Sequence, residues 1–526
     1  MGKQTQTVKI LYTSDVHGNA SPISYGTNEP ADSGLATYAA VVKQAKKDDE
    51  HIIVMDNGDL IQGTPLMTHY VKEHADQINP MIGLMNEIGI DAGVIGNHEF
   101  NFGKQILNHA VEQSAFPWLS ANSLDAQTMQ PYFGQPYIMK ELPNGLRVAI
   151  VGVTTHYIPN WESPEHIKGI HFADAFLTLK KWVAYIHQQE RPDVLIASYH
   201  GGFERDLDTG EPTESLTGEN QGYKMCKEIE GIDVLLTGHQ HRKLTSDING
   251  VLVIQPGNNG EMYGEVVIEL QDDKDGWAIT DKHASLHSLA EVEADSESLR
   301  FLSELERSTQ RWLDEPIGHI EGDMTIADHF QARLKKHPFV EFIQKVQMEA
   351  GGVDLSITSL FNNVIEGFSS VVTMRDVVGN YMFPNTLTVL ELTGNDIIAA
   401  MEKSANYFII DEEGHIAVNP MYIAPKPQHY NYDMWEGINY TINVAKPVGE
   451  RIEQIMYHGK PLDTNGRYYV AMNNYRANGG GDFSMFKDKP IIKDLQIDMV
   501  ELIRAYFEKH KTVQATITDN FTVTRS

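Results

Sequence analysis

Short apolar runs alternate with helical patterns along the first half of the chain. Each run is bounded by glycine or polar residues and predicts a buried strand; the runs are residues 8–13, 52–55, 92–95, 146–153, 194–198 and 234–237. Between them, apolar residues recur with a helical period, as at 34–47 and 173–188. Alternating strands and helices predict a parallel arrangement with functional groups at the carboxyl ends of the strands.

Polar residues follow five of these runs. Asp15 and His17 stand two apart after the first, so in an extended segment both can bind one ion. A single histidine at a strand end is usually structural or merely exposed. Its recurrence predicts a shared site with the candidate ligands Asp15, His17, Asp59, Asn97, His200, His239 and His241.

The segment Gly-Asn-His-Glu at 96–99 is the most informative of these strand ends. Gly96 is expected to let the backbone turn sharply, so that Asn97 and His98 lie at the end of the strand. An amide oxygen can bind a divalent ion while the neighbouring imidazole stays free to act on a substrate. On its own, such a pair is more often a turn with a solvated histidine.

The pattern changes after residue 290. Residues 291–315 are charged with one apolar stripe, which predicts a connecting helix or, alternatively, a terminal helix of the first domain. Beyond Pro316 the pattern predicts helices at 338–350, 374–381 and 395–404, strands at 387–392 and 468–472, and a loop over 424–440. The expected domains are 1–290 and 326–526, joined by 291–325.

A glycine triplet at 479–481 lies close to Tyr475 and Asp482. Glycines beside aromatic and amide residues suit a backbone that approaches a flat ligand closely. Considered alone, the segment is more often a flexible surface loop.

Composition narrows the classes of function. With 526 residues the chain predicts two or more domains. Acidic residues outnumber basic ones 72 to 42, a formal net charge of -30, which disfavours long nucleic acid and anionic membranes as partners. A small anionic substrate would need local neutralisation, which metal ions supply. Cys226 is the single cysteine, so no intramolecular disulfide can form and the ligands must be oxygen and nitrogen.

The sequence contains no basic segment followed by a long apolar core, and no apolar stretch near the length of a bilayer span. We therefore expect no membrane association and a cytoplasmic location, or an extracytoplasmic one if a signal segment has been removed. The oligomeric state is not indicated.

Taken in order, the motifs resemble those of the two-domain metallophosphoesterase and 5′-nucleotidase family. They are Asp-x-His at 15–17, Gly-Asp at 58–59, Gly-Asn-His-Glu at 96–99, His200, Gly-His-x-His at 238–241 and Asn-Asn-Tyr-Arg-Ala-x-Gly-Gly from 473. The details are most similar to the bacterial 2′,3′-cyclic-nucleotide 2′-phosphodiesterase/3′-nucleotidase branch. Position 101 discriminates, because the 5′-nucleotidase branch has aspartate where this chain has Asn101.

This resemblance implies an α/β protein, with an N-terminal four-layer αββα domain joined by a helix to a smaller α/β nucleotide-binding domain. It implies two divalent ions, Mn²⁺, Zn²⁺ or Fe²⁺ by ligand type. One would be held by Asp15, His17, Asp59 and His241, and the other by Asp59, Asn97, His200 and His239. Such a pair binds phosphate oxygens and lowers the pKa of a bound water.

The resemblance also assigns roles around the substrate. His98, oriented by Asn101, would stabilise or protonate the departing oxygen. The base would lie between Phe383 and Tyr475, with Asn385 on its edge and Asp482 near the ribose. The expected function is hydrolysis of 2′,3′-cyclic nucleotides and then of 3′-nucleotides. The alternatives are a 5′-nucleotidase or nucleotide-sugar hydrolase, and a non-catalytic nucleotide-binding protein.

Overall fold

The computed structural model describes residues 4–49, 51–160, 162–214, 216–273, 276–381, 385–424, 427–487 and 489–525. The chain forms two compact units. The first comprises Met1–Ser24 and Asn28–Gln310, and the second comprises Tyr25–Thr27 and Arg311–Ser526. The division at Gln310 falls inside the helix Ser296–Leu313.

Two six-stranded sheets form the centre of the first unit. The first sheet has the strand order Gly276–Ser288, Met262–Asp273, Thr5–Thr13, Ile52–Asp56, Ala92–Val94 and Trp118–Leu119. The second has the order Lys243–Ile248, Val251–Pro256, Val234–Thr237, Val194–His200, Arg147–Thr154 and Tyr137–Glu141. The predicted strands are parallel where they neighbour one another, for example Thr5–Thr13 with Ile52–Asp56.

Alternate residues of one strand face two different cores, which shows how sheets and helices are layered in the first unit. In Arg147–Thr154, Val148 and Ile150 belong to the core that contains residues of both sheets. Ala149 and Val151 belong to a second core, shared with the helix Ala175–Gln189. A strand buried on both faces reads as a continuous apolar run, which is why these strands were visible in the sequence. The four-layer αββα prediction is confirmed.

The helices predicted at 34–47, 173–188 and 291–315 are observed at Leu35–Asp48, Ala175–Gln189 and Ser296–Leu313. Ala175–Gln189 starts where Asp174 accepts a hydrogen bond from the backbone N–H of Leu177 at 2.8 Å, an N-cap that satisfies one free donor of the first turn. The helices are Leu35–Asp48, Pro65–Glu73, Pro80–Ile88, Gly103–Gln113, Ala175–Gln189 and Gly222–Glu228, together with Ser296–Leu313.

The second unit has its own core around a five-stranded sheet. Its strand order is Asp433–Glu436, Leu355–Ser359, Arg467–Asn473, Thr386–Thr393 and Ile491–Asp498. A four-stranded sheet has the order Lys460–Pro461, Ile452–Tyr457, Ile438–Asn443 and Phe521–Thr524, and a three-stranded sheet has Val371–Thr373, Pro316–Glu321 and Thr512–Gln514. The helices are His329–Leu334, Pro338–Gly351, Met374–Asn380, Gly394–Ala405, Asn474–Ala477 and Met499–His510.

Two helices of this unit begin with capping boxes. Thr373 and Asp376 exchange side-chain and backbone hydrogen bonds at the start of Met374–Asn380, and Thr393 and Asp396 do the same for Gly394–Ala405.

The predicted loop over 424–440 is wrong in its second half. Asp433–Glu436 is a strand paired with Leu355–Ser359, and Ile438–Asn443 begins another sheet. Met434 and Trp435 are fully buried in the core of the unit. Glycine, proline and aromatic residues dominate the composition here, and the burial that stabilises this strand depends on partners distant in sequence.

Across the described residues, we find no helix that combines the length and the apolar character needed to cross a bilayer.

Candidate metal centre

Neighbouring strands of the first sheet bring two polar loops together. The backbone N–H of Asp15 donates to the carbonyl of Gly58 at 2.9 Å, and that of His17 donates to the carbonyl of Asp59 at 2.8 Å. The backbone N–H of His239, which follows a strand of the second sheet, donates to the Asp15 carboxylate at 2.9 Å. Loops from both sheets therefore meet at the carboxyl ends of their strands.

Five of the seven candidate ligands have left-handed backbone conformation. The φ angles are 56° for Asp15, 50° for His17, 57° for Asp59, 67° for His239 and 56° for His241. Residues other than glycine adopt this region at a steric cost, and such residues cluster at functional sites. The conformation turns each side chain out of the strand direction.

Gly96 serves the same loops through its lack of a side chain. Its φ angle is outside the left-handed region, so backbone conformation alone does not require glycine here. A Cβ at this position would lie 2.3 Å from Oδ1 of Asp59 and 2.5 Å from the Asp59 backbone nitrogen. Glycine is therefore required here for close approach.

The candidate ligands form two groups. Donor atoms of Asp15, His17 and His241 lie within 4.8 Å of one another, as do those of Asp59, His200 and His239. In the first group, the Nε2 atoms of His17 and His241 are 3.0 Å apart, and Nε2 of His241 is 3.5 Å from Oδ1 of Asp15.

Asn97 joins the second group. Its Oδ1 lies 2.8 Å from Nδ1 of His239 and 3.1 Å from Nε2 of His200. Ligands about 2.1 Å from one Zn²⁺ ion are separated by roughly 3.0 to 3.4 Å, depending on the geometry. The measured spacings in both groups match those of atoms that share an ion.

Both histidine rings of the second group have an outer hydrogen-bond partner, which fixes the ring nitrogen that faces the other donors of that group. Nδ1 of His200 donates to the carbonyl of Asn57 at 2.7 Å, so Nε2 faces Asp59 and Asn97. Nε2 of His239 is 3.0 Å from Oε1 of Glu219, so Nδ1 faces Asn97. Such outer partners orient ligand histidines in metal sites.

Asp59 provides the test of whether these residues fit a metal. Its Oδ1 accepts the backbone N–H of His98 at 2.7 Å. Its buried Oδ2 accepts no hydrogen bond in the described part of the chain, although Nε2 of His200 is 3.2 Å away. A buried carboxylate oxygen without a donor is costly unless a cation is close. The donor sets therefore fit divalent ions, and Asp59 belongs to the second group.

The titration behaviour of the group is consistent with this interpretation. Burial disfavours the charged ring of His200, but the carboxylates of Asp59, Asp15 and Glu99 raise its pKa to about 10. Burial likewise opposes the charge on Asp59, yet the neighbouring rings of His200 and His98 lower its pKa well below the usual range. Without an ion, a proton on His200 compensates the buried negative charge, and a metal must displace that proton.

The two groups differ in exposure to solvent. The side chains of Asp59 and His200 are 1% and 0% exposed. In the other group Asp15 is fully buried, but the side chain of His241 is 41% exposed. One group is therefore closed and the other is open on the side of His241.

Glu99 anchors the loops beneath the site. It is fully buried and accepts the backbone N–H groups of Gly96 at 2.6 Å, Asp59 at 2.9 Å and Leu60 at 2.5 Å. Burial raises its pKa, since a charged carboxylate there is far from water. The glutamate of the Gly-Asn-His-Glu motif therefore holds the loops in place and is not a candidate metal ligand.

His98 lies beside the second group and is held by a polar chain. Its Nδ1 is 2.6 Å from Oδ1 of Asn101. Nδ2 of Asn101 donates to Oε2 of Glu162 at 2.6 Å. Oε1 of Glu162 lies 2.8 Å from Nδ1 of His166 and accepts the backbone N–H of Ser163 at 2.7 Å. For Nε2 of His98, the described residues supply no hydrogen-bond partner.

The predicted nucleotide-binding residues belong to the second unit. Tyr475, 45% exposed, lies in the short helix Asn474–Ala477, and Asp482 is exposed five residues after this helix. Asn385 precedes Thr386, whose backbone N–H donates to Oδ1 of Asn474 at 3.2 Å. Phe383 lies outside the described residues.

The glycine triplet beside Tyr475 is packed against its neighbours. A Cβ at Gly481 would lie 1.9 Å from Oδ1 of Asn431. The guanidinium of Arg476 lies 3.9 Å above the ring of Phe483 and also bonds to the carbonyl of Gly480. These contacts favour a segment packed against its neighbours over a flexible surface loop.

Three carboxylates around the metal centre were not assigned from the sequence. Glu99 was visible in its motif but had no role, whereas Glu162 and Glu219 reach Asn101 and His239 from other loops. For Glu162 and Glu219 we find no motif in the sequence that marks them.

Comparison with known proteins accounts for most of the chain. Residues 8–243 match the calcineurin-like phosphoesterase family, and residues 316–488 match the 5′-nucleotidase C-terminal domain. A structure of a Staphylococcus aureus protein provisionally named a 5′-nucleotidase, solved with α-ketoglutarate, is 34% identical with a TM-score of 0.82. It covers 99% of this chain and 100% of that protein.

Two curated relatives are each 26% identical. The 2′,3′-cyclic-nucleotide 2′-phosphodiesterase/3′-nucleotidase of Yersinia enterocolitica aligns with 90% of this chain and 81% of its own length. The trifunctional nucleotide phosphoesterase protein YfkN of Bacillus subtilis aligns with 98% of this chain. The chain spans only 39% of the length of YfkN.

Proposed function

The chain belongs to the two-domain family that joins a calcineurin-like phosphoesterase domain to a 5′-nucleotidase C-terminal domain, and we propose that its substrates are 2′,3′-cyclic nucleotides. The family makes it a metal-dependent phosphoesterase. In the first proposed step, water adds to phosphorus and the P–O2′ bond breaks, which leaves a 3′-nucleotide. In the second, water adds again and the P–O3′ bond breaks, which leaves a nucleoside and phosphate.

The observation that carries the proposal is the pair of donor groups at the strand ends, one of which contains the buried Asp59 Oδ2 that accepts no hydrogen bond among the described residues. We propose that Asp15, His17, Asp59 and His241 hold one ion, and that Asp59, Asn97, His200 and His239 hold the other. Mixed oxygen and nitrogen donors favour Mn²⁺, Zn²⁺ or Fe²⁺. When bound, such a pair neutralises phosphate oxygens and activates water for attack.

The side chains of the protein are proposed to donate the proton and to position the substrate. His98 has Nδ1 engaged by Asn101, which leaves Nε2 to give a proton to the departing sugar oxygen. Asp59 holds the backbone of His98 through Oδ1, which ties the proton donor to the metal centre. In the second unit, Phe383 and Tyr475 are proposed to stack on the base, with Asn385 at its edge and Asp482 near the ribose.

The choice of substrate is supported by the names of relatives and by Asn101. The Yersinia enterocolitica protein is named for both proposed reactions, and the match covers 90% of this chain. A second candidate function, 5′-nucleotidase, is favoured by the provisional name of the Staphylococcus aureus protein at 34% identity.

Phosphate release with three substrates separates these functions. The purified protein in Mn²⁺ is expected to convert 2′,3′-cyclic AMP to 3′-AMP and then to adenosine, faster than it acts on 5′-AMP. Faster release from 5′-AMP would favour the second candidate. No release from any ester by metal-loaded protein would indicate a non-catalytic nucleotide-binding protein.

His98 provides a direct test of the chemical role. His98→Ala is expected to lower kcat by about 10² to 10⁴-fold, the usual contribution of a general acid. Metal content, measured by mass spectrometry of the loaded protein, is expected to stay at the wild-type level. Unchanged turnover in this variant would rule out the assigned role.

A further inference from the structure

We infer that Glu162 is a positioning residue that sets the orientation of the Asn101 amide and, through it, which nitrogen of His98 carries the fixed proton. The inference rests on the proposed function of His98. It concerns a residue 61 positions beyond Asn101 in sequence that contacts neither His98 nor the candidate ligands in the bonds described above.

The orientation follows from donors and acceptors. A carboxylate only accepts hydrogen bonds, so the Asn101 atom 2.6 Å from Oε2 of Glu162 must be the amide nitrogen. The amide oxygen of Asn101 then faces Nδ1 of His98 at 2.6 Å. Because that oxygen also only accepts, Nδ1 must carry a hydrogen, and Nε2 is left to exchange a proton with the substrate.

Glu162 is itself held in place. Its side chain is 5% exposed, and its other oxygen receives the Ser163 backbone N–H and Nδ1 of His166. A buried carboxylate with each oxygen engaged has little freedom to turn. The negative charge is thus separated from the His98 ring by one amide, whereas an aspartate at position 101 would place it directly beside the ring.

Glu162→Gln tests the inference with little change of shape. Two donors lie on Oε1 and one on Oε2, so the glutamine keeps its oxygen toward Ser163 and His166 and turns its NH₂ group to Asn101. The Asn101 amide must then flip and present NH₂ to His98, so Nδ1 must accept and the single ring hydrogen lies on Nε2. The wild-type ring is neutral after it gives a proton from Nε2, whereas this ring would become an anion, which makes it a much weaker acid. We expect kcat for 3′-AMP to fall by roughly tenfold or more, part of the usual general acid–base contribution.

The second variant restores the arrangement by another route. In the double variant Asn101→Asp with Glu162→Gln, the aspartate accepts from both Nδ1 of His98 and the glutamine NH₂. We expect its kcat to return to within about threefold of wild type, since general acid function is restored. Asn101→Asp alone places two carboxylates against each other and is expected to lose activity.

Two measurements separate positioning from a merely structural effect. The loss in Glu162→Gln should be large for 3′-AMP and small for p-nitrophenyl phosphate, whose leaving group needs no proton. In ¹⁵N-histidine spectra of metal-free protein at about pH 8.5, where unperturbed histidine is neutral, His98 should carry its hydrogen on Nδ1 in wild type and not in Glu162→Gln. His98→Gln identifies the signal.

The control is Glu165→Gln, which removes a carboxylate that is 78% exposed in the same segment. It should behave as wild type in both measurements. If the wild type does not cleave 3′-AMP, the proposed substrate is wrong, and 5′-AMP replaces it as the ester with a poor leaving group. The inference is overturned if Glu162→Gln matches wild type, loses both esters equally, or is not rescued by Asn101→Asp.

Discussion

Both units bury charged side chains, but they compensate them differently. In the second unit, the ammonium group of Lys336, 1% exposed, bonds to Glu436 and lies 3.8 Å from Glu341. Nε of Arg476 lies 2.8 Å from Oδ2 of Asp433, and both side chains are buried. Each buried acid in these clusters therefore has a permanent cation of the same chain as its partner.

The buried acids of the first unit lack that partner. Among the described residues, the salt bridges of Asp15 and Asp59 are with histidines, and Glu99 accepts only backbone N–H groups. A histidine can be neutral or charged, so the balance of this cluster depends on protons or on ions from solution. Buried charge is thus balanced within the chain in one unit and depends on protons or ions in the other.

Asp59→Asn should produce the largest effect on the first unit. The amide cannot bridge two ions, so turnover should fall by more than the roughly 10 to 100-fold typical of losing an outer partner of a metal site. Phosphate release and metal content measure it.

Asp56→Asn is the matched control. Burial raises the pKa of Asp56 to about 8, so this acid is already neutral near pH 7. An amide can keep both contacts, because its oxygen accepts the Gly58 N–H and its NH₂ donates to the Thr13 hydroxyl, as the O–H of the neutral acid does. Similar losses in the two variants would show that the cluster responds to any substitution of a buried acid and not to a lost ligand.

Lys336→Met should produce the largest effect on the second unit. It leaves Glu436 and Glu341 without their buried partner, and removing one member of a buried pair costs about 3 to 5 kcal/mol of unfolding free energy. Urea unfolding followed by circular dichroism measures this.

Turnover per folded molecule should be retained in Lys336→Met, because Lys336 is not among the residues proposed to bind metal or nucleotide. Adding Glu436→Gln should recover part of the stability. A loss of turnover without a loss of stability would contradict the contrast between the units.

Adding metal should stabilise the first unit. At about 100 times the dissociation constant, an ion that binds only the folded protein adds about 2.7 kcal/mol to the unfolding free energy. Melting curves of chelator-treated protein with and without Mn²⁺ measure this. In Asp59→Asn the increase should shrink, whereas Lys336→Met should keep it.

Tyr475→Ala should have the smallest effect. Stacking of one base on an aromatic ring contributes roughly 1 to 3 kcal/mol, so KM for nucleotides should rise by about tenfold with kcat nearly unchanged. Hydrolysis of p-nitrophenyl phosphate, which has no base, is the control. Equal effects on both esters would place Tyr475 outside base binding.

The sequence was most informative where burial is continuous. Strands such as Arg147–Thr154 are apolar on both faces, and the polar residues that follow the other five predicted runs indicated the candidate ligands. The strand Asp433–Glu436 was missed because its burial comes from distant partners. Glu162 and Glu219 were missed because nothing in the sequence around a loop carboxylate shows its partner. Folding brings Asn101 to Glu162 and His239 to Glu219.

The difference in exposure between the two donor groups has a consequence for how the enzyme would be prepared. On the proposed assignment, the ion near His241 would exchange within the time of an assay, while the one enclosed by Asp59 and His200 would be retained from expression. Protein grown with one element and assayed with another would carry a mixed pair. Its specific activity would then depend on its history as much as on the buffer.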